Sequence, residues 1–190
     1  MKPPARKNPL FSACGLNCGL CPRYHSSGAS KCPGCAGENF LTKHPACGIL
    51  SCTQRHDVEY CFECEEFPCL RYEHADSSDS FISHKNQLKD LELAKRLGLS
   101  AYQKVLDEKM TALRFLLRYF NDGRRKSMYC VAANLLELYD VKSIIEQITD
   151  ESTTDTRLSI KEKSDATVQL FQMIADKRSI SLRLRKKPAQ

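Results

Sequence analysis

Ten of the chain's eleven cysteines lie between Cys14 and Cys69, and their spacing limits the fold more than any other feature. They run Cys14-x3-Cys18-x2-Cys21, then Cys32-Pro-Gly-Cys35, then His44-x2-Cys47-x4-Cys52, then Cys61-x2-Cys64-x4-Cys69. Two residues between thiolates let both sulfurs chelate one ion from a single tight turn, with the following backbone N–H groups directed at sulfur. Three such pairs and a His-x2-Cys in so short a stretch point to metal ligation. The candidate ligands are therefore Cys14, Cys18, Cys21, Cys32, Cys35, His44, Cys47, Cys52, Cys61, Cys64 and Cys69. If His44 stands in for a cysteine, the last two motifs share one template, with equivalent positions 17 residues apart.

The same segment shows neither a 3.6-residue nor a two-residue hydrophobic period, and Gly and Pro punctuate it at Gly15, Gly19, Pro22, Gly28, Pro33, Gly34, Gly37, Pro45, Gly48 and Pro68. Turns are expected throughout. About 60 residues with so few large apolar side chains cannot bury a sufficient core, so the segment needs cross-links. The alternative to metal is a disulfide framework. The opening residues lead into only Leu10-Phe11 before the cysteines begin, and no apolar run approaches the ~18 residues of a membrane span. Neither a secretory signal nor a span is expected. A cytoplasmic setting is, and its reducing conditions disfavour disulfides.

Counting ligands leaves two solutions. The pairs Cys18/Cys21, Cys32/Cys35, His44/Cys47 and Cys61/Cys64 fill two four-coordinate zinc sites, one all-Cys and one Cys3His. Cys14, Cys52 and Cys69 then remain, and one more ligand from His25, His56 or His74 would complete a third. Two or three zinc ions are expected on this count. Alternatively, Cys14, Cys18 and Cys21 hold a [4Fe-4S] cluster with one open iron, and eight ligands serve two zincs. Cys-x3-Cys-x2-Cys looks like the cluster motif of radical S-adenosylmethionine enzymes, and this iron-sulfur reading implies electron transfer or radical chemistry. Those enzymes continue into strand-helix units, however, whereas residues 22 to 75 here are consumed by cysteines and turns.

Composition changes after residue 75. Residues 76–84, containing Asp76-Ser-Ser-Asp-Ser80, read as a linker between a Cys-rich module over 10–75 and a helical bundle over 85–178. In the bundle, Leu88, Leu91, Ala94 and Leu97 mark one helix face ending near Gly98. A second helix follows Ser100 and carries Tyr102, Val105, Leu106, Met110, Leu113, Leu117 and Phe120. Met128, Val131, Leu135 and Leu138 mark a third helix, and Asp140 can start a fourth through Val141, Ile144, Ile145 and Ile148. Thr149 to Thr156 reads as a polar loop. Ser159 with Glu162 forms a capping-box pattern opening a last helix that buries Leu170, Phe171 and Ile174. The expected fold is thus α-dominated, with a small irregular metal-stabilised module before a helical bundle. Cys130 falls on a helix among apolar neighbours, where a buried inert thiol is expected.

Net charge is +6, and splitting the chain at residue 74 gives 8 basic against 7 acidic residues before it and 21 against 16 after. Part of the excess is a tail over 179–190 and the residues just before it: Lys177, Arg178, Arg183, Arg185, Lys186 and Lys187. Such a tail is either a solvated terminus or a contact for nucleic acid, although no aromatic residue is interleaved for base stacking. Arg124-Arg125-Lys126 oppose the dipole of the helix they open, which calls for an anionic partner or for ion pairs with Asp122 or more distant acids. No Ser-His-Asp ordering is defensible, zinc-bound thiolates are quenched as nucleophiles, and Glu63, Glu65 and Glu66 read as solvation of a surface turn. The expectation is a non-catalytic module that binds a protein partner.

Ala13-Cys-Gly-Leu-Asn-Cys-Gly-Leu-Cys-Pro22, Lys31-Cys-Pro-Gly-Cys35, Cys47-Gly-Ile-Leu-Ser-Cys52 and Tyr60-Cys-Phe-Glu-Cys-Glu-Glu-Phe-Pro-Cys69 together resemble a family of small Cys-rich proteins of bacteria and archaea, many of them anaerobes, catalogued as a domain of unknown function. The resemblance covers residues 13 to 72. The position of His44 is more often cysteine in that family, so this chain departs there. The Asn-Asp-Gly-Arg run at 121 and the helix after it are similar to the C-terminal part of longer members. The resemblance implies metal binding and a cytoplasmic setting, and it implies no reaction.

Overall fold

The computed structural model of the protein describes residues 6–73, 77–154 and 158–186, without the side chains of 151–154. Six α-helices are present: α1 (Gly48–Arg55), α2 (Gln87–Leu97), α3 (Leu99–Tyr119), α4 (Lys126–Leu135), α5 (Leu138–Thr154) and α6 (Ile160–Lys177). Among the described residues there is no strand. The chain is therefore helical behind an irregular N-terminal region, as its hydrophobic patterning requires. That leaves no strand-helix frame of the radical-enzyme kind. None of the helices is long and apolar enough to cross a membrane.

Two compact units divide the chain: Met1–Leu106 with Leu184–Gln190, and Asp107–Arg183. Composition marks a boundary at 76–84, whereas contacts place α2 and the opening turns of α3 in the same unit as the cysteines. The reason is the shortage of apolar surface in the Cys-rich segment. Leu91, Ala94, Tyr102 and Leu106 are buried and supply what it lacks. Phe11 lies with its ring centroid 5.3 Å from that of Tyr60 and 4.5 Å from that of Tyr102. Beside this stack the buried Asn17 amide donates to Asp90 at 2.8 Å and accepts from the Tyr102 hydroxyl at 2.9 Å. Gly15 has φ +91°, and a Cβ there would lie 2.3 Å from the Gln87 carbonyl oxygen and 2.6 Å from Leu91 Cγ, so the close approach of this loop to α2 requires glycine at that position.

The C-terminal segment also belongs to this unit. Asp79, whose side chain is 0% exposed, receives the Arg185 guanidinium and the Arg185 backbone N–H, both at 2.7 Å, and the His84 N–H at 2.8 Å. Asp79 N–H in turn donates to the Arg185 carbonyl at 3.0 Å. This is a clasp, so the stretch expected as a free basic tail is tied down at Arg185, and Leu182 ahead of it is buried. Lys187 and the residues after it lie outside the described residues, as do His74 and Asp76.

In the second unit α4 is central, with every residue from Tyr129 to Leu136 buried, and it packs on α5 and α6. The Tyr129 hydroxyl donates to the Phe120 carbonyl at 2.7 Å, and its ring lies 5.9 Å from that of Phe171. Cys130 is fully buried in this helix. Ser159 and Glu162 form the expected capping box, with Ser159 N–H donating to the Glu162 carboxylate at 2.8 Å. Two expectations are corrected. The third helix stops at Leu135, and Leu138 begins the next one. That next helix runs through the presumed polar loop to Thr154. The predicted faces are also shifted locally. Leu116 is buried in place of Leu117, and α6 buries Phe171 and Ala175 while Leu170 and Ile174 are only half-buried. Arg125 pairs with Asp165 at 2.6 Å and Arg178 with Asp140 at 2.8 Å, so ion pairs within this unit account for those two cations.

Burial alone would raise the Asp79 carboxyl, but the hydrogen bonds from Arg185 and His84 hold it at about 2 against an ordinary 3.8. Because the folded value lies below the unfolded one, the clasp's contribution is complete above pH ~4 and disappears as pH falls through about 2. Asp79→Asn should remove on the order of 2 kcal/mol. It should also speed tryptic cleavage at Arg185 at neutral pH relative to the wild type measured under the same conditions.

Candidate metal centre

All eleven cysteines are thiols, with no disulfide among them. Two of the three Cys-x2-Cys knuckles, Cys18/Cys21 and Cys61/Cys64, are built alike. Cys18–Leu20 and Cys61–Glu63 are single 3-10 turns, and the N–H of the second cysteine donates to the carbonyl of the first at 3.1 Å in both. The Cys32-Pro-Gly-Cys35 pair turns differently. Gly34 has φ +90°, a Cβ there would sit 2.5 Å from the Pro9 carbonyl oxygen, and Cys35 N–H donates to that same oxygen at 2.7 Å. Cys32 N–H donates to the Arg23 carbonyl at 2.9 Å, which ties this pair to the turn after Cys21.

The shared template of the last two motifs does not give a shared local fold. Cys47 is the N-cap of α1 and Cys52 lies within that helix, so five residues of helix separate them by about 140° around its axis. Cys64 and Cys69 are joined instead by a non-helical turn containing a cis Phe67–Pro68 bond. Cys47 and Cys52 accordingly serve different groups.

One group contains Cys14, Cys18, Cys21, Cys32, Cys35 and Cys47. Cys35 packs with Ala13, Ala36, Phe40 and Leu50 in a small core, against which Cys18 and Cys47 lie. Burial pushes the Cys14, Cys18, Cys21 and Cys35 thiols up. For Cys18 the nearby Cys35, Cys14, Cys21 and Cys32 sulfurs add to the rise, and for Cys14 the Cys35 and Cys47 sulfurs do. Local donors work against it. The Ser12 hydroxyl is 3.1 Å from the Cys14 sulfur, the N–H groups of Arg23 and Tyr24 face Cys21, and the Arg6 guanidinium lies beside Cys35. N–H groups two and three residues past a cysteine are the arrangement its knuckle spacing calls for.

Cys52, Cys61, Cys64 and Cys69 form the other group. All four are half-buried and line one hollow of about 140 Å³ together with His56, Glu66, Arg55 and Arg71. Burial raises the Cys61 thiol to about 11, with Cys14, Cys69 and Cys52 adding to it and the Tyr72 hydroxyl opposing it. Tyr72 links the groups, because the same hydroxyl donates to the Cys14 carbonyl at 3.3 Å. Its neighbourhood of Cys61, Cys14 and Cys69 marks it as part of the centre, and the only sequence signal for it was an aromatic residue three positions after Cys69. Arg55 and Arg71 were likewise unmarked by spacing.

The histidines are distributed unevenly. His44 is exposed, its ring stacked 4.8 Å from that of Phe40 and its Nδ1 2.9 Å from the Pro45 carbonyl oxygen. His25 places Nε2 2.8 Å from the Gly19 carbonyl oxygen. His56 lines the hollow of the four-cysteine group. Among the described residues no three His, Cys, Asp or Glu side chains already converge as ligands of a single ion.

Residues 10–74 match a family model described as a protein of unknown function (DUF3795). The DUF3795 match takes in all ten N-terminal cysteines and both groups, and leaves α2 to α6 outside it. No curated protein and no solved structure matches the chain.

Gly34→Ala tests whether the Cys32/Cys35 turn tolerates a side chain. Both the positive φ and the approach to Pro9 oppose one, and the expected cost is about 1–3 kcal/mol in denaturant unfolding. Gly28→Ala, where φ is +64° but no atom lies within 4 Å of the added carbon, should cost less.

Proposed function

We propose that the Cys-rich region is a zinc-binding module of at least two ions, non-catalytic, whose role is to bind a protein partner. The observation that carries this reading is the gathering of ten thiols from four separated motifs into two groups within one compact unit. Burial makes the Cys14, Cys18, Cys21, Cys35 and Cys61 thiols harder to ionise, and a divalent ion would reverse that balance by neutralising thiolates outright. Soft thiolate donors select zinc or iron, and knuckle turns suit tetrahedral zinc. The ligands then close on the ion by side-chain rotation, since the turns already hold the backbone. Thiols raised by burial are poor nucleophiles, and metal-bound thiolates are poorer still, which favours a binding role over catalysis.

The [4Fe-4S] alternative has a narrower basis in this fold. Cys14, Cys18 and Cys21 do lie in one group, but Cys35 and Cys47 crowd Cys14 and Cys32 crowds Cys21, so the triad does not stand apart as a three-ligand cluster site.

Elemental analysis and the visible spectrum of protein made without oxygen test the reading. Two or more zinc per chain and no colour are expected, whereas iron with acid-labile sulfide would replace zinc by a cluster. Cys35→Ser should lose bound zinc and with it the cooperative unfolding of the first unit, because structural zinc supplies much of the folding free energy of such modules. Native circular dichroism and full metal content in that variant would refute the zinc module.

A further inference from the structure

We propose that Cys52, Cys61, Cys64 and Cys69 form one solvent-open zinc site whose ion exchanges while the six-cysteine group keeps its own. This inference rests on the metal-binding reading above and assigns the two groups different work: one holds the fold, and the other takes up and releases metal.

Three features separate the groups. The first is access. The six-cysteine group includes two buried members, Cys14 and Cys35, and is walled by Ala13, Ala36, Phe40 and Leu50. In the four-cysteine group every cysteine is half-buried around a hollow whose wall includes the exposed His56 and Arg55. A chelator or an acceptor thiol can reach an ion there and attack it, and closed sites deny that route.

The second feature is anchoring. The backbone carrying these four cysteines is held by contacts that need no metal. Cys61 N–H donates to the Ala13 carbonyl at 2.9 Å, and its neighbour Tyr60 is fully buried against Phe11. Cys52 rides on α1, which is fixed by the buried Leu50 and Thr53. Cys69 precedes the short turn that ends in buried Tyr72. In the six-cysteine group Cys35 is itself a member of the small core and Cys18 and Cys47 pack against it, so metal lost there disturbs the core directly.

Charge is the third. Four thiolates on one divalent ion leave an excess of two negative charges. Arg55 and Arg71 line the same hollow together with Glu66, and the two cations outnumber the one carboxylate and so offset part of that excess. His56 sits at the C-terminal end of α1, with its backbone N–H bonded to the Cys52 carbonyl at 3.1 Å.

The experiment follows zinc release from the full chain after addition of excess EDTA, by native mass spectrometry, with far-UV circular dichroism recorded in parallel. One ion should leave at least tenfold faster than the rest, and helicity should stay constant during that phase. Cys64→Ser/Cys69→Ser should bind one zinc fewer and lose the fast phase alone. Iodoacetamide present during the fast phase should label Cys52, Cys61, Cys64 and Cys69 before Cys14 or Cys35, a readout that stands even if the double variant does not fold. A single release phase, loss of helicity with the first ion, or early labelling of Cys14 or Cys35 would overturn the proposal. Protein with no bound metal at all would instead overturn the zinc module itself.

Discussion

The structure depends on a deficit. The stretch that holds the cysteines has too few large apolar side chains to bury a core of its own, and everything around it compensates. α2 and the opening of α3 contribute Leu91, Ala94, Tyr102 and Leu106, the Phe11 ring is set between Tyr60 and Tyr102, and the Asn17–Asp90–Tyr102 network satisfies polar groups that this docking buries. The Asp79–Arg185 clasp then brings the end of the chain back to the same unit. Compensation of this kind fixes the backbone of the cysteine turns but leaves the sulfurs crowded, half-desolvated and short of positive charge.

That crowding connects fold to function. A buried thiol surrounded by other thiols favours its neutral form, and local donors such as the Ser12 hydroxyl and the N–H groups after Cys21 only partly oppose this. A soft divalent ion removes the conflict by replacing several protons with one bound charge. The two groups meet this condition in different surroundings. One packs in part into a small apolar core through Cys35, Cys18 and Cys47, and the other opens on a hollow that two arginines share. Tyr72, with its hydroxyl between the Cys14 carbonyl and the Cys61 sulfur, links the two, and the Cys14 sulfur also acts on Cys61.

Basic residues show how far charge can be read without a fold. The excess after residue 74 invites a nucleic-acid reading, but Arg178 and Arg185 each meet a buried carboxylate within their own unit, and Arg125 meets Asp165. Asp79 and Asp140 lie far from those arginines in sequence, so no local pattern announces either pair.

Local chemistry was legible in the sequence. The knuckle turns, the capping box at Ser159, the stop at Gly98 and the helical class all follow from interactions a few residues long, and the sequence predicts them for that reason. Helix faces were legible to within a residue, and the ends of α4 and α5 were not, because exposed polar residues continue a helix as readily as they form a loop. The grouping of ligands needed the tertiary structure. Spacing pairs His44 with Cys47 and leaves Cys52 and Cys69 over. The helix begun at Cys47 instead turns Cys52 away from it, into a hollow with Cys61, Cys64 and Cys69, and His44 remains exposed against Phe40. Which residues are candidate ligands follows from residue type and turn geometry, and the sequence carries both. Which of those candidates lie together depends on where separate turns are carried by helices and anchors, and only the folded chain decides that.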